Sequence, residues 1–165
     1  MTSQKDLFQN EINEWIKNSL NNSSKYKYVK TFYGENISKI NDVQLNTVES
    51  KNYFDFQCDL SVLVEDRSSN FHIILINRYT NAVGLTNIGE MLTYCRLVKP
   101  LFAFIISLVG HSSDINKIVS NEDNAKNIFE YDDHNQIFLL RLENSNPILD
   151  SILPVYARNR FQQIF

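Results

Sequence analysis

Four side chains that could bind a cation or exchange a proton, those of Asp59, Asn77, Glu90 and Tyr94, fall within residues 54–109. Carboxylates are oxygen ligands of the kind that a hard cation such as Mg²⁺ prefers. This stretch is predicted to form a β-hairpin, a helix and a buried strand. That order brings the four side chains towards one place.

The hairpin decides whether the first two of these residues meet. Apolar and polar residues alternate over 54–64, which predicts a strand with one core face and with Asp59 pointing away from it. The apolar run 71–79 follows after the short polar turn EDRSSN, which favours an antiparallel pair. With the turn centred near Ser68, Asp59 lies directly across from Asn77.

The helix that follows carries the other two residues. Apolar spacing predicts a helix over 86–99 that Pro100 ends, with Glu90 and Tyr94 one turn apart on the same face. The spacing of Asn87 and Glu90 also fits a capping box, in which the Glu side chain binds the amide of the cap residue. The run 101–109 is apolar on both faces, as in an interior strand covered by helices.

The remaining segments complete one α/β domain over residues 1–165, with a mixed central sheet flanked by helices. Helical spacing predicts a first helix over 4–20 and a later one over 123–130, and Ser113 or Asp114 caps another that ends near residue 120. Composition predicts strands at 26–32, 43–48 and 136–142. Asn146-Pro147 is predicted to open a C-terminal helical region that is kinked at Pro154.

Composition limits the classes of function. The two cysteines, Cys58 and Cys95, lack a C-x-x-C spacing, so we expect buried reduced thiols rather than a disulfide framework or a zinc site. The N-terminus is charged and no apolar stretch reaches 18 residues, which predicts a cytoplasmic protein with no membrane partner. With a net charge of −3, nucleic-acid binding would need a local cationic patch.

The order of these motifs resembles the PD-(D/E)XK nuclease superfamily, especially its RecB-type branch. Glu11 matches the acid of the first helix, Asp59 the aspartate of the hairpin, residues 77–79 the E-x-K triplet, and residues 90–94 the Q-x-x-x-Y helix. The resemblance implies a restriction-endonuclease-like core. In that family the acids hold one or two Mg²⁺ ions, and the lysine helps to orient and polarise the attacking water.

This chain departs from the family at the positions that carry the chemistry. Asn77 stands in place of the carboxylate, Tyr79 in place of the lysine, and Glu90 in place of the glutamine. Arg78 cannot replace the lysine, because strand alternation puts it on the face opposite Asn77 and Tyr79. The resemblance therefore implies a degenerate catalytic site of Asp59, Asn77, Tyr79, Glu90 and Tyr94. If the protein is active, Asp59, Glu90 and Glu11 would bind Mg²⁺ or Mn²⁺; if it is degenerate, no cofactor is expected.

Each of these residues also has a structural interpretation. Asp59 could be a solvated residue of an edge strand, Asn77 the end of a strand, and Glu90 the helix cap described above. Tyr94 could pack with its hydroxyl at the surface, and Glu11 could lie at the margin of the apolar stripe.

Basic residues next to aromatic ones form the candidate nucleic-acid contacts. Lys27 and Lys30 alternate with tyrosines, and Arg96 and Lys99 end the predicted central helix. Such residues can contact a phosphate backbone and stack on bases, although a solvated strand face has the same composition.

Three hypotheses follow. The first is a pseudoenzyme of nuclease fold that binds nucleic acid, DNA rather than RNA, or assembles with a protein partner or a second copy of the chain. The second is an active Mg²⁺- or Mn²⁺-dependent nuclease with relocated catalytic residues. The third is an unrelated α/β interaction domain.

Overall fold

A five-stranded mixed sheet forms the centre of the molecule in a computed structural model that describes residues 4–165. The strands lie in the order β1-β2-β3-β4-β5; β1, β2 and β3 are antiparallel neighbours, and β3, β4 and β5 are parallel ones. Their bounds are Tyr26–Tyr33, Leu60–Asp66, Phe71–Tyr79, Phe102–Ser107 and Ile137–Leu140. The predicted α/β class with a mixed sheet flanked by helices is confirmed.

Helices cover both faces of this sheet and give it two hydrophobic cores. The helices α1 and α5 pack on one face, and α2, α3 and α4 pack on the other. Their bounds are Gln4–Asn22, Leu85–Val98, Ser113–Val119, Glu122–Phe129 and Arg158–Gln162 for α1 to α5. No helix among the described residues is long and apolar enough to cross a membrane.

Burial on both faces explains the composition of the interior strands. Every residue of β4 is buried, as the apolar run predicted. For β2 the prediction of a single core face was wrong, because residues 60–64 are all buried and lie between the two cores. The strand also begins only at Leu60, since residues 54–59 form no ladder beyond a single bridge at Gln57.

Two segments differ from the sequence prediction for local reasons. Instead of a strand at 43–48 there is a 3-10 helix, Leu45–Thr47, because the Asp42 carboxylate accepts hydrogen bonds from the amides of Gln44 and Leu45.

The C-terminal segment begins with a small hairpin rather than a helix. Its strands Leu142–Glu143 (β6) and Asn146–Pro147 (β7) are joined by Asn144 and Ser145, both at positive φ. Only 3-10 turns and the short α5 follow. The cap of α3 is Ser112, one residue earlier than predicted.

Candidate functional site

The hairpin places Asp59 beside Asn77, as the sequence predicted. Leu60 pairs with Ile76, and the amide of Asp66 donates to the carbonyl of Asn70 across the turn, so the register continues to residues 59 and 77. The amide of Asp59 donates a hydrogen bond of 3.3 Å to Oδ1 of Asn77. Asn77 is buried, with 8% of its surface exposed.

The Asp59 carboxylate is held by Arg78. Its Oδ2 accepts a hydrogen bond of 2.9 Å from the Arg78 amide, and its Oδ1 lies 3.5 Å from Nε of the Arg78 guanidinium. The Arg78 side chain is only 10% exposed and that of Asp59 is 34% exposed. The carboxylate therefore accepts a backbone hydrogen bond from Arg78 and forms an ion pair with its guanidinium.

Arg78 lies on the α1 side of the sheet, whereas Tyr79 packs against the core beneath α2. Arg78, Asp59 and Tyr79 line a cavity of about 280 Å³ together with Phe8 of α1. Along β3, Ile74 and Ile76 pack in the core of α1 and Leu75 in the core of α2, so alternation confirms the expected opposition of Arg78 to Asn77 and Tyr79. Sequence reasoning did not predict that the Asp59 carboxylate turns to the α1 side, where it contacts Arg78. Asp59 lies one residue before β2 begins.

On the α2 side, a group of polar side chains surrounds the hydroxyl of Tyr79. Burial raises the pKa of Tyr79, and the nearby carboxylate of Glu90 raises it further, with a smaller contribution from Asp59. The amide side chains of Asn87 and Asn77 act in the opposite direction. The Tyr79 hydroxyl is thus neutral at physiological pH and cannot supply the positive charge of a lysine.

Glu90 and Tyr94 form a pair on the exposed surface of α2. The Tyr94 hydroxyl donates a hydrogen bond of 3.0 Å to Oε1 of Glu90, and the Tyr94 ring stacks on Phe56 with centroids 4.0 Å apart. The capping interpretation of Glu90 is wrong, because the helix starts earlier. Gly84 is the cap residue, and its amide donates to Oδ1 of Asn87 at 2.9 Å.

Beneath this pair lies the buried thiol of Cys58. Burial raises its pKa to about 12, and the charges of Asp59 and Glu90 act in the same direction. Both Cys58 and Cys95 are free and buried, as predicted, so neither is a thiolate nucleophile at neutral pH.

The acids predicted to be metal ligands are spread over the two faces of the sheet. Glu11 is half-buried on α1, Glu90 is exposed on α2, and Asp59 is bound to Arg78. Within residues 4–165, no three His, Cys, Asp or Glu side chains come together as a group that could hold a metal ion.

The basic residues predicted to contact nucleic acid lie away from Asp59. Arg96 belongs to the last turn of α2 and Lys99 follows the helix with φ 46°, so both lie at its C-terminal end. Lys27 is exposed opposite Glu65, close to the β2–β3 turn. Lys30 is engaged by the Asp42 carboxylate at 3.3 Å.

Sequence reasoning missed the polar network at the β2–β3 turn. The Asp66 carboxylate accepts hydrogen bonds from the amides of Ser68 and Asn70 and contacts Nε2 of His72 at 2.9 Å. The hydrogen bond to His72 is the largest cause that holds the pKa of Asp66 well below its usual range. An Asp followed by turn-forming Ser and Asn was the available signal.

No family model, curated protein or solved structure matches this chain. The site must therefore be interpreted from its own geometry.

Proposed function

We propose that this protein is a nuclease-fold domain that has lost metal-dependent cleavage and now acts as a nucleic-acid-binding module. The observation that carries the loss of cleavage is the engagement of the Asp59 carboxylate by Arg78, through the amide at 2.9 Å and the guanidinium at 3.5 Å. To bind Asp59, a divalent cation would have to displace the guanidinium of Arg78.

The arrangement of elements supports the nuclease comparison. A helix, three antiparallel strands, a second helix and a buried parallel strand follow one another as α1, β1, β2, β3, α2 and β4. Asp59 and Asn77 occupy neighbouring positions where the hairpin strands end at the same side of the sheet. The carboxylate of Glu90, and less strongly that of Asp59, raises the pKa of Tyr79.

The substitutions remove two separate contributions to catalysis. Asn77 supplies a neutral amide whose Oδ1 already accepts the Asp59 amide, so the second carboxylate needed to bind Mg²⁺ is missing. Tyr79 supplies a neutral hydroxyl whose raised pKa keeps its proton, so it cannot polarise water as a lysine would. Recovery of activity would require both groups to be restored.

The test is a cleavage assay with plasmid DNA, single-stranded DNA and RNA in Mg²⁺ or Mn²⁺, together with calorimetry for Mn²⁺ at millimolar concentration. We expect neither cleavage nor metal binding. The matched variants are Asp59→Ala and Asp114→Ala, the latter an exposed acid on α3 whose Oδ1 lies 3.6 Å from Nζ of Lys117.

Metal-dependent cleavage that disappears in Asp59→Ala and persists in Asp114→Ala would overturn the proposal. That outcome would favour an active nuclease with relocated residues.

A further inference from the structure

A concave surface lies at the β2–β3 turn, at the end of the sheet opposite Asp59. It consists of a groove of about 780 Å³ on the α2 side of the sheet and a cavity of about 290 Å³ on the α1 side, and His72 lines both. Four chain segments meet there: the start of β1, the β2–β3 turn, the α2–β4 junction, and the 3-10 helix Glu49–Tyr53. We call this the turn-end surface.

Three exposed cations line the turn-end surface. Lys25 and Arg67 line the smaller cavity, and Lys99 lines the groove. Arg67 is fixed towards the start of β1, because its Nε donates to the carbonyl of Ser24. The α2–β4 junction that carries Lys99 is joined to β3 near the turn, because the amide of Leu101 donates to the carbonyl of Ile73 at 2.9 Å.

The acids on this surface do not cancel these charges fully. Among the described residues, Glu49 balances Lys99 in the groove, whereas Asp66 balances one of Lys25 and Arg67 in the cavity, so the sum over both is +1 on a chain whose net charge is −3. The Asp66 carboxylate is also occupied by the amides of its own turn and by His72.

The groove also offers large unburied side chains. Tyr53 is 69% exposed and Leu97 is 64% exposed, and both line it. An exposed aromatic ring beside cations is the combination that binds a flexible phosphate backbone and stacks on a base. Because bases in a duplex are already stacked on one another, such a ring can contact them only in a single strand.

We propose that the turn-end surface binds single-stranded nucleic acid, with Lys25, Arg67 and Lys99 contacting phosphates and Tyr53 stacking on a base. This inference rests on the proposed binding role of the domain, but not on its loss of cleavage. It places the ligand at the C-terminal end of α2, beyond Glu90.

The test is fluorescence anisotropy with a labelled oligothymidylate of about 15 nucleotides, near the upper limit of the length that one small domain covers. The full chain is titrated at several salt concentrations. With three phosphate contacts, log K should fall with log salt with a slope of about −2, and Lys99→Gln should reduce that slope by about 0.7. Tyr53→Ala should weaken binding by roughly tenfold.

Two matched controls separate this surface from general effects. Lys117→Gln removes an exposed cation on α3, and Tyr33→Ala removes a 44% exposed ring at the other end of β1. Both should bind the oligonucleotide as the parent does. Urea denaturation of each variant verifies that it is folded.

The inference is overturned if the parent protein does not bind the oligonucleotide at low salt, if duplex DNA binds more tightly, or if the controls weaken binding as much as Lys99→Gln and Tyr53→Ala. Cleavage is measured in the same samples. Binding accompanied by metal-dependent cleavage would refute the proposed loss of activity and leave this inference standing. Absence of both binding and cleavage would refute this inference and leave the proposed loss of activity standing.

Discussion

Removing the Asp59 carboxylate should destabilise the protein, and the sign of this effect distinguishes an ion pair that holds two strands together from a metal-binding acid. Asp59→Ala deletes a hydrogen bond between a charged acceptor and the Arg78 amide, worth about 1.5–3 kcal/mol. It also leaves the 10% exposed Arg78 without this carboxylate, although the 34% exposure of Asp59 reduces that cost.

Together these contributions predict a loss of about 2 kcal/mol in the free energy of unfolding, which for a chain of this size lowers Tm by about 4–8 °C. Asp59→Asn keeps an oxygen that can accept from the Arg78 amide, so its cost should be smaller, about 1 kcal/mol. Asp114→Ala, which removes a 71% exposed carboxylate, should cost less than about 0.5 kcal/mol.

The assay is urea denaturation at pH 7, with the change in free energy taken from the midpoint at constant slope. A double-mutant cycle with Arg78→Gln isolates the coupling between the two side chains, which should be about 1 kcal/mol. Each measurement is repeated with about 5 mM Mn²⁺, since a site with Kd of about 0.1 mM would add about 2.3 kcal/mol.

The opposite sign would refute the reasoning. A vacant metal site holds carboxylates that repel one another, so removing one of them leaves stability unchanged or raises it. If Asp59→Ala is as stable as the parent, and Mn²⁺ stabilises only the parent, then Asp59 is a metal ligand and Arg78 is not its partner.

Three further perturbations test the site and its surroundings. Asn77→Asp introduces a second, buried carboxylate next to Asp59, so we expect a loss of about 2 kcal/mol at pH 7 that is regained as the pH falls towards 4, measured as urea midpoints against pH. Cys58 and Cys95 should not react with a thiol reagent at pH 8 until urea unfolds the chain; fast reaction of the native protein would contradict their burial. Because burial raises the pKa of Cys58 from 9.0 to about 12, the stability gained by keeping this thiol neutral is complete below pH 9 and should be lost as the pH rises towards 12, and Cys58→Ala should reduce that loss in alkaline urea titrations.

Local patterns in the sequence were sufficient for the framework of the site. The length of the polar turn and the two apolar runs fixed the hairpin register, which put Asp59 beside Asn77. Helical spacing placed Glu90 and Tyr94 one turn apart, and the hydrogen bond between them follows from that spacing. These features depend on residues that are close in the chain or joined by one short turn, so periodicity and turn chemistry are enough to predict them.

The tertiary structure decided which groups these side chains actually contact. Alternation sets the direction of a side chain only inside a strand, and Asp59 lies one residue before β2, so its carboxylate could turn towards Arg78 on the α1 side. The gathering of Lys25, Arg67 and Lys99 around the turn likewise depends on how β1, the hairpin and the α2–β4 junction pack. Those contacts join segments far apart in sequence, whose relative positions follow from burial of the two cores and not from any local pattern.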